Sequence, residues 1–258
     1  MIYETLDPGS NYIKLTEDVS YLQIRALKNG DDNVSSINLT TLQKVTIRAT
    51  YTNPVEKKKE IISEMKLSEL AYMGAHLFRP TFCMDALELG TSGEMTTFIP
   101  FALNSDIELN DNAFIELDID VDENTDLKFI LTSHSFGRVS DSLFVFERTR
   151  FSDVRNKTVN VKYNHLTFFN HKLDKLTQRY ANNTAQDFDL DELKLKVQHS
   201  NIAHLNVITG TATEHIRHRK VDYTLLPIVS NPMNVETLNI YADDDCDMFS
   251  VTIQKWRK

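Results

Sequence analysis

The chain has 258 residues, of which 41% are hydrophobic and 9% aromatic, with only 7 Gly and 6 Pro, so neither a disordered nor a collagen-like chain fits. That length can bury one large core or two of about 125 residues each. Net charge is -9 and unevenly spread, with 11 Lys+Arg against 22 Asp+Glu in residues 1–135 and 17 against 15 in residues 136–258; without a concentrated basic face, sequence-specific nucleic-acid binding is not expected.

The chain starts without the basic stretch and apolar run of a secretory signal, and no apolar stretch approaches the roughly 20 residues of a membrane span, so a soluble chain made in the cytosol is expected. Residues 12–15, 21–27 and 45–51 alternate apolar and polar side chains, the pattern of half-buried antiparallel strands. Asp7-Pro8-Gly9, Asn29-Gly30-Asp31-Asp32 and Asn53-Pro54 supply the turns between them. Lys57-Lys58-Lys59 reads as a solvated loop before a helix within residues 60–76. Ser68 is the expected N-cap of that helix, with Leu67 and Tyr72 at the spacing of a hydrophobic staple.

Glu116, Asp118, Asp120 and Asp122 alternate with Ile115, Leu117, Ile119 and Val121, which puts four carboxylates on one face of a strand. Like charges in a row repel unless a cation or a basic neighbour offsets them, so Asp118, Asp120 and Asp122 are the candidate metal ligands, with Ca2+ the fitting ion; a solvated acidic face is the simpler alternative. The spacing is not that of an EF-hand, since Glu123 stands where the loop needs Gly and Phe129 where it needs Glu. Residues 133–142 are polar and aperiodic, which sets expected domains at 1–136 and 137–258.

In the second half, residues 159–163 and 221–225 read as strands, and Asp191 as a helix cap flanked by Leu190 and Leu195. The basic run Arg217-His218-Arg219-Lys220 reads as part of an exposed strand or loop, and Asp243-Asp244-Asp245-Cys246-Asp247 as a tight acidic loop. Cys83 and Cys246 lack CxxC spacing and read as small, partly buried thiols. Six of eight His lie in the second half without a His-x-His triplet, and Ser133-His134-Ser135-Phe136-Gly137 is not a nucleophile elbow, so no catalytic set emerges.

The two halves share landmarks roughly 120 residues apart, the pattern of an internal duplication. Leu67-Ser68-Glu69-Leu70 is answered by Leu190-Asp191-Glu192-Leu193, Gly90-Thr91 by Gly210-Thr211, and Leu117-Asp118-Ile119-Asp120 by Leu238-Asn239-Ile240-Tyr241.

Two β-sandwich halves in tandem, each with a helix between strands, resemble the double jelly-roll major capsid proteins, above all the PM2-like members from tailless, membrane-containing phages. The residues that carry the likeness are the strand at 12–15, the helix within 60–76, Leu89-Gly90-Thr91 leading into 96–103, the acidic strand near 116–122 and the closing Val251-Thr252-Ile253-Gln254-Lys255-Trp256. The likeness is one of layout over most of the chain and carries no site residue over. It implies a mainly β fold of two tandem jelly-roll sandwiches, each with a short inserted helix, and a structural role without catalysis. It further implies homotrimers that tile an icosahedral shell as pseudo-hexagons over an internal viral membrane, meeting neighbouring capsomers and minor capsid proteins in the virion after synthesis in the host cytoplasm. The acidic first half and near-neutral second half would then alternate around each tile, and Arg217 to Lys220 and Lys255-Trp256-Arg257-Lys258 would contact acidic neighbours or the membrane. The rival reading is a tandem β-sandwich that binds carbohydrate or a receptor, which would show exposed aromatics clustered on one face.

Overall fold

The structure is a computed structural model and describes residues 2–28, 42–55, 58–78, 94–102, 105–125, 127–140, 142–152, 155–170, 172–193, 207–209, 214–216, 228–229, 234–242 and 245–255. The chain forms two compact units, one of Met1–Glu147 with Ile253–Lys258, the other of Arg148–Thr252.

The first unit contains β1 (Tyr3–Leu6), β2 (Gly9–Leu15), β3 (Tyr21–Lys28), β4 (Val45–Asn53), β5 (Lys58–Lys66), α1 (Leu67–Phe78), β6 (Glu94–Pro100), β7 (Asp106–Ile107), β8 (Phe114–Val121), β9 (Leu127–His134) and β10 (Val139–Ser140). Two four-stranded sheets result, ordered β1-β9-β3-β6 and β2-β8-β4-β5. The alternation read in the sequence is the alternation of burial: Ile115, Leu117, Ile119 and Val121 of β8 are buried while Asp118 and Asp120 between them are exposed. Leu22, Ile24 and Ala26 of β3 and Phe129 and Leu131 of β9 complete the buried set from the other sheet. Each such Leu, Ile or Phe removed from water contributes about 1.5–3 kcal/mol before chain entropy is counted.

Residues 60–66, inside the span that holds the expected helix but ahead of its expected cap at Ser68, are strand, and so are Lys58 and Lys59, expected as loop. They pair antiparallel with β4 in the register Ile47↔Met65 and Arg48↔Glu64. Ile62 and Met65 fill inward positions, and the ladder bonds of a sheet outweigh a weak helical propensity. The strand then runs straight into α1, so the N-cap is Lys66 and not Ser68; the Lys66 N–H donates to Glu69 Oε2 at 3.0 Å. The staple spacing moves with it to Met65 and Leu70, both buried. Further along α1, Gly74 lies against β6. A Cβ there would fall inside the van der Waals shell of the Phe98 carbonyl oxygen and 3.3 Å from Pro100 Cδ.

β11 (Ser142–Phe151) runs from the first unit into the second, which holds β12 (Lys157–Asn160), β13 (Asn164–Phe169), β14 (Lys175–Tyr180), β15 (Ala185–Asp189), β16 (Val207–Thr209), β17 (Glu214–Ile216), β18 (Ile228–Val229), β19 (Val235–Tyr241) and all but the last residues of β20 (Cys246–Lys255). The four-stranded sheets of the second unit are ordered β11-β20-β13-β18 and β12-β19-β14-β15, strand for strand the order of the first unit. Equivalent positions follow from the registers: Ile47↔Met65 corresponds to Leu176↔Phe188, and Arg48↔Asp118 to Thr177↔Asn239. The sequence landmark Leu117/Leu238 falls at matching places in β8 and β19.

A helical turn begins at Leu190, two residues past Phe188 as α1 begins two past Met65. Asp189, not Asp191, caps it in a reciprocal box: the Asp189 N–H donates to Glu192 Oε2 at 3.1 Å and the Glu192 N–H to Asp189 Oδ1 at 2.7 Å. Phe188 and Leu193 take the staple positions in a core shared with Phe169, Leu176, Leu238 and Ile240.

The expected strand at 159–163 ends at Asn160, because the Asn164 N–H closes a turn on the Val161 carbonyl at 2.9 Å. Residues 136/137, the expected domain boundary, follow β9, whereas the compact units divide within β11 and again within β20. Gly90-Thr91, Gly210-Thr211, the strand at 221–225, the Arg217 to Lys220 run, Leu195, Cys83 and the terminal Trp256-Arg257-Lys258 lie outside the described residues.

Candidate functional site

The outward face of β2-β8-β4 carries the acidic row. Opposite Glu116 stand Lys14 and Thr50; opposite Asp118, Tyr12 and Arg48; opposite Asp120, Ser10 and Thr46. Glu116 is held: the Tyr12 hydroxyl donates to its Oε1 at 2.8 Å and the Thr52 hydroxyl to its Oε2 at 3.1 Å. The hydrogen bond to Glu116 raises the Tyr12 pKa, and Asp118 adds to the shift. The flanking cations point elsewhere, since the Arg48 guanidinium lies 3.9 Å from Glu64 and the Lys14 ammonium sits 3.7 Å above the Phe114 ring.

Asp122 lies beyond the end of β8, where it shapes the turn into β9. Its Oδ1 accepts the Asn124 N–H at 2.9 Å, and its own N–H donates to the Lys44 carbonyl at 2.9 Å. Asp118, Asp120 and Asp122 are therefore strung along a strand and its turn. Among the described residues, no three His, Cys, Asp or Glu side chains are grouped to hold a metal ion.

The second unit treats the same positions differently. Where β8 has Glu116, Asp118 and Asp120, β19 has Thr237, Asn239 and Tyr241. The Thr158 hydroxyl donates to Asn239 Oδ1 at 2.9 Å; beside it the Thr177 hydroxyl donates to Asp187 Oδ1 at 2.6 Å, and Lys175 pairs with Asp187 Oδ2 at 2.7 Å. The bond from Lys175, with that from Thr177, lowers the Asp187 pKa, and the bond to Asp187 raises that of Lys175. In the acidic loop of this unit, of which Asp243 and Asp244 lie outside the described residues, Arg150 meets Asp245 at 2.6 Å, and Arg148 meets Asp247 at 2.8 Å while lying over the Phe249 ring. Cys246 between those two aspartates is a free, fully buried thiol whose pKa burial pushes up to about 12, so it holds no nucleophilic thiolate at neutral pH.

The serine string at 133–137 is structural in each of its members. The Ser133 hydroxyl accepts the Ile2 N–H at 2.8 Å, tying down β1. His134 stacks on Tyr21 with ring centroids 4.7 Å apart, its Nε2–H donates to Gln23 Oε1 at 2.7 Å, and burial lowers its pKa. Ser135 donates to Asp106 Oδ2 at 2.8 Å, while the Phe136 and Arg138 N–H groups donate to the same carboxylate at 2.7 and 3.0 Å. Asp106 is fully buried and holds the whole turn, including Gly137 at φ 71°. Sequence reasoning missed Asp106, because nothing in Ser105-Asp106-Ile107 marks a buried anchor. The Phe98, His134 and Phe136 rings each contact the Tyr21 ring, with Phe136 exposed.

No helix among the described residues is long and apolar enough to cross a membrane. The sequence matches no family model and no curated relative. Two solved structures are similar over nearly their whole length. The crystal structure of the major capsid protein from bacteriophage PM2 is 10% identical, with 100% of this chain and 99% of that one covered and a TM-score of 0.56. The STIV major capsid protein is 9% identical, with 97% and 95% covered and a TM-score of 0.55. Together with the strand order repeated in its two units, this places the chain in the double jelly-roll fold of viral major capsid proteins.

Proposed function

We propose that this chain is the major capsid protein of a tailless icosahedral virus, assembling as homotrimers whose six sandwiches form a pseudo-hexagonal tile over an internal membrane. The observation that carries this reading is the duplicated pair of sheets, in identical strand order, in a chain that a phage capsid protein matches from end to end. A structural role also suits the chemistry of the candidate residues. The serine string, His134, Cys246 and the paired aspartates are all engaged in holding the fold. In this reading the protein resides in the virion and its partners are further copies of itself, neighbouring capsomers and minor capsid proteins.

Light scattering on the purified chain tests it. A stable particle of three times the chain mass, and pseudo-hexagonal tiles by electron microscopy of assembled material, are expected. A monomer at every concentration, above all one that binds glycans, would overturn the reading in favour of a sugar-binding or receptor-binding module.

A further inference from the structure

Resting on the reading of the chain as a self-assembling shell protein, we propose that the acidic face of β2 and β8 in the first unit docks the cationic β12 edge of the second unit of another copy.

On the acidic side, Tyr12 is 60% exposed at the centre of the row, opposite Asp118, and Asp118 and Asp120 are exposed beside it. Among the described residues no Lys or Arg comes within ion-pair distance of Asp118 or Asp120, because Arg48 turns to Glu64 and Lys14 to the Phe114 ring. Carboxylates side by side on a strand face repel one another, and a facing cation removes that cost. The fold does not require the row: the equivalent positions of β19, in the same sheet order, are Thr237, Asn239 and Tyr241.

On the other side, β12 is the outer strand of its sheet and the equivalent of β2. Arg155 and Lys157 are exposed at its start, and Lys162 follows its end beside Tyr163, which is 78% exposed. The carboxylate bonded to this group among the described residues is Glu236, 3.1 Å from Lys162. The outer two strands of the same sheet thus carry exposed carboxylates on β8 in one unit and exposed cations beside β12 in the other, each with an exposed tyrosine, a residue type enriched at interface centres. Two acidic faces repel, as do two cationic edges, so the favourable contact joins unlike units of different copies. Such a contact is heterologous, the kind that builds rings and extended arrays instead of closing at a dimer.

Sedimentation velocity of the full chain tests the contact. Self-association should weaken as salt rises from about 0.01 M to about 1 M, over which the screening length shrinks from about 30 Å to about 3 Å. The exposed double substitutions Asp118→Lys/Asp120→Lys and Arg155→Glu/Lys157→Glu should each weaken association by about tenfold or more, with unchanged circular dichroism melts, and mixing the two variants should restore it. Should charge reversal impair folding, the neutral pair Asp118→Asn/Asp120→Asn, which follows the precedent of Asn239 in the second unit, should still give a smaller loss. Assembly unaffected by these substitutions would overturn the contact and leave the shell reading standing, whereas a chain monomeric under all conditions would overturn both.

Discussion

The outward faces of β8 and β19 are the same place in a duplicated fold and have opposite characters. In the first unit the row is Glu116, Asp118 and Asp120, of which, among the described residues, only Glu116 is hydrogen-bonded to neighbouring side chains. In the second it is Thr237, Asn239 and Tyr241, with Asn239 buried to 9% exposure and bonded to Thr158. The inward faces do not differ in this way, since Leu117 and Leu238 are both fully buried. A duplicated sandwich therefore keeps what its core requires and is free to diverge where it meets solvent or a partner. Packing is close and intolerant of volume change, while a solvated face constrains little.

The largest test of that equivalence is a matched pair. Leu117→Ala and Leu238→Ala should each lower the unfolding free energy by about 2–5 kcal/mol in urea titrations. A negligible loss at either site would break the correspondence of the units.

Next comes the buried anchor of the first unit. Asp106→Ala leaves the Ser135 hydroxyl and the Phe136 and Arg138 N–H groups without their acceptor, and should cost about 3 kcal/mol. Hydrogen exchange at Phe136 and Arg138 should accelerate with it. Gly74→Ala should cost about 1–3 kcal/mol through the clash with β6, although helix propensity alone would favour Ala by about 1 kcal/mol; a more stable variant would mean that α1 shifts freely.

The helix starts give a smaller, asymmetric effect. Asp189→Ala removes a side-chain cap and should cost about 1 kcal/mol, while Lys66→Ala, at the matching cap without a side-chain acceptor, should cost far less in the same titration. Smallest of all, EDTA should leave the melting temperature unchanged, since Asp118, Asp120 and Asp122 do not converge. A drop that added Ca2+ restores would place an ion there after all.

Much of this layout was legible in the sequence. Period-two alternation located β2, β3, β4 and β8, and the spacing of Leu67 and Leu190 located a helix start in each half. The caps were misplaced by two residues in both halves for one reason. A strand running directly into a helix leaves no loop to mark the junction, and Ser68 and Asp191 are as good local caps as Lys66 and Asp189 until pairing with β4 and β14 is known. The β5 segment is not marked as a strand by its sequence because its Lys- and Glu-rich surface side suits a loop or a helix start equally well, and only its pairing with β4 selects the extended form.

By itself the sequence determined what depends on local pattern: strand faces, turns, a duplicated order of landmarks and an uneven charge. Tertiary structure decided what depends on neighbours distant in the chain. It chose β5 over helix through the β4 ladder, made Asp106 the anchor of a turn about 30 residues away, and turned Arg48 and Lys14 away from the acidic row. The row itself was visible from the start. That its charges go unpaired within the described part of the fold is a fact of three dimensions, because an ion pair depends on distance and orientation that periodicity does not encode.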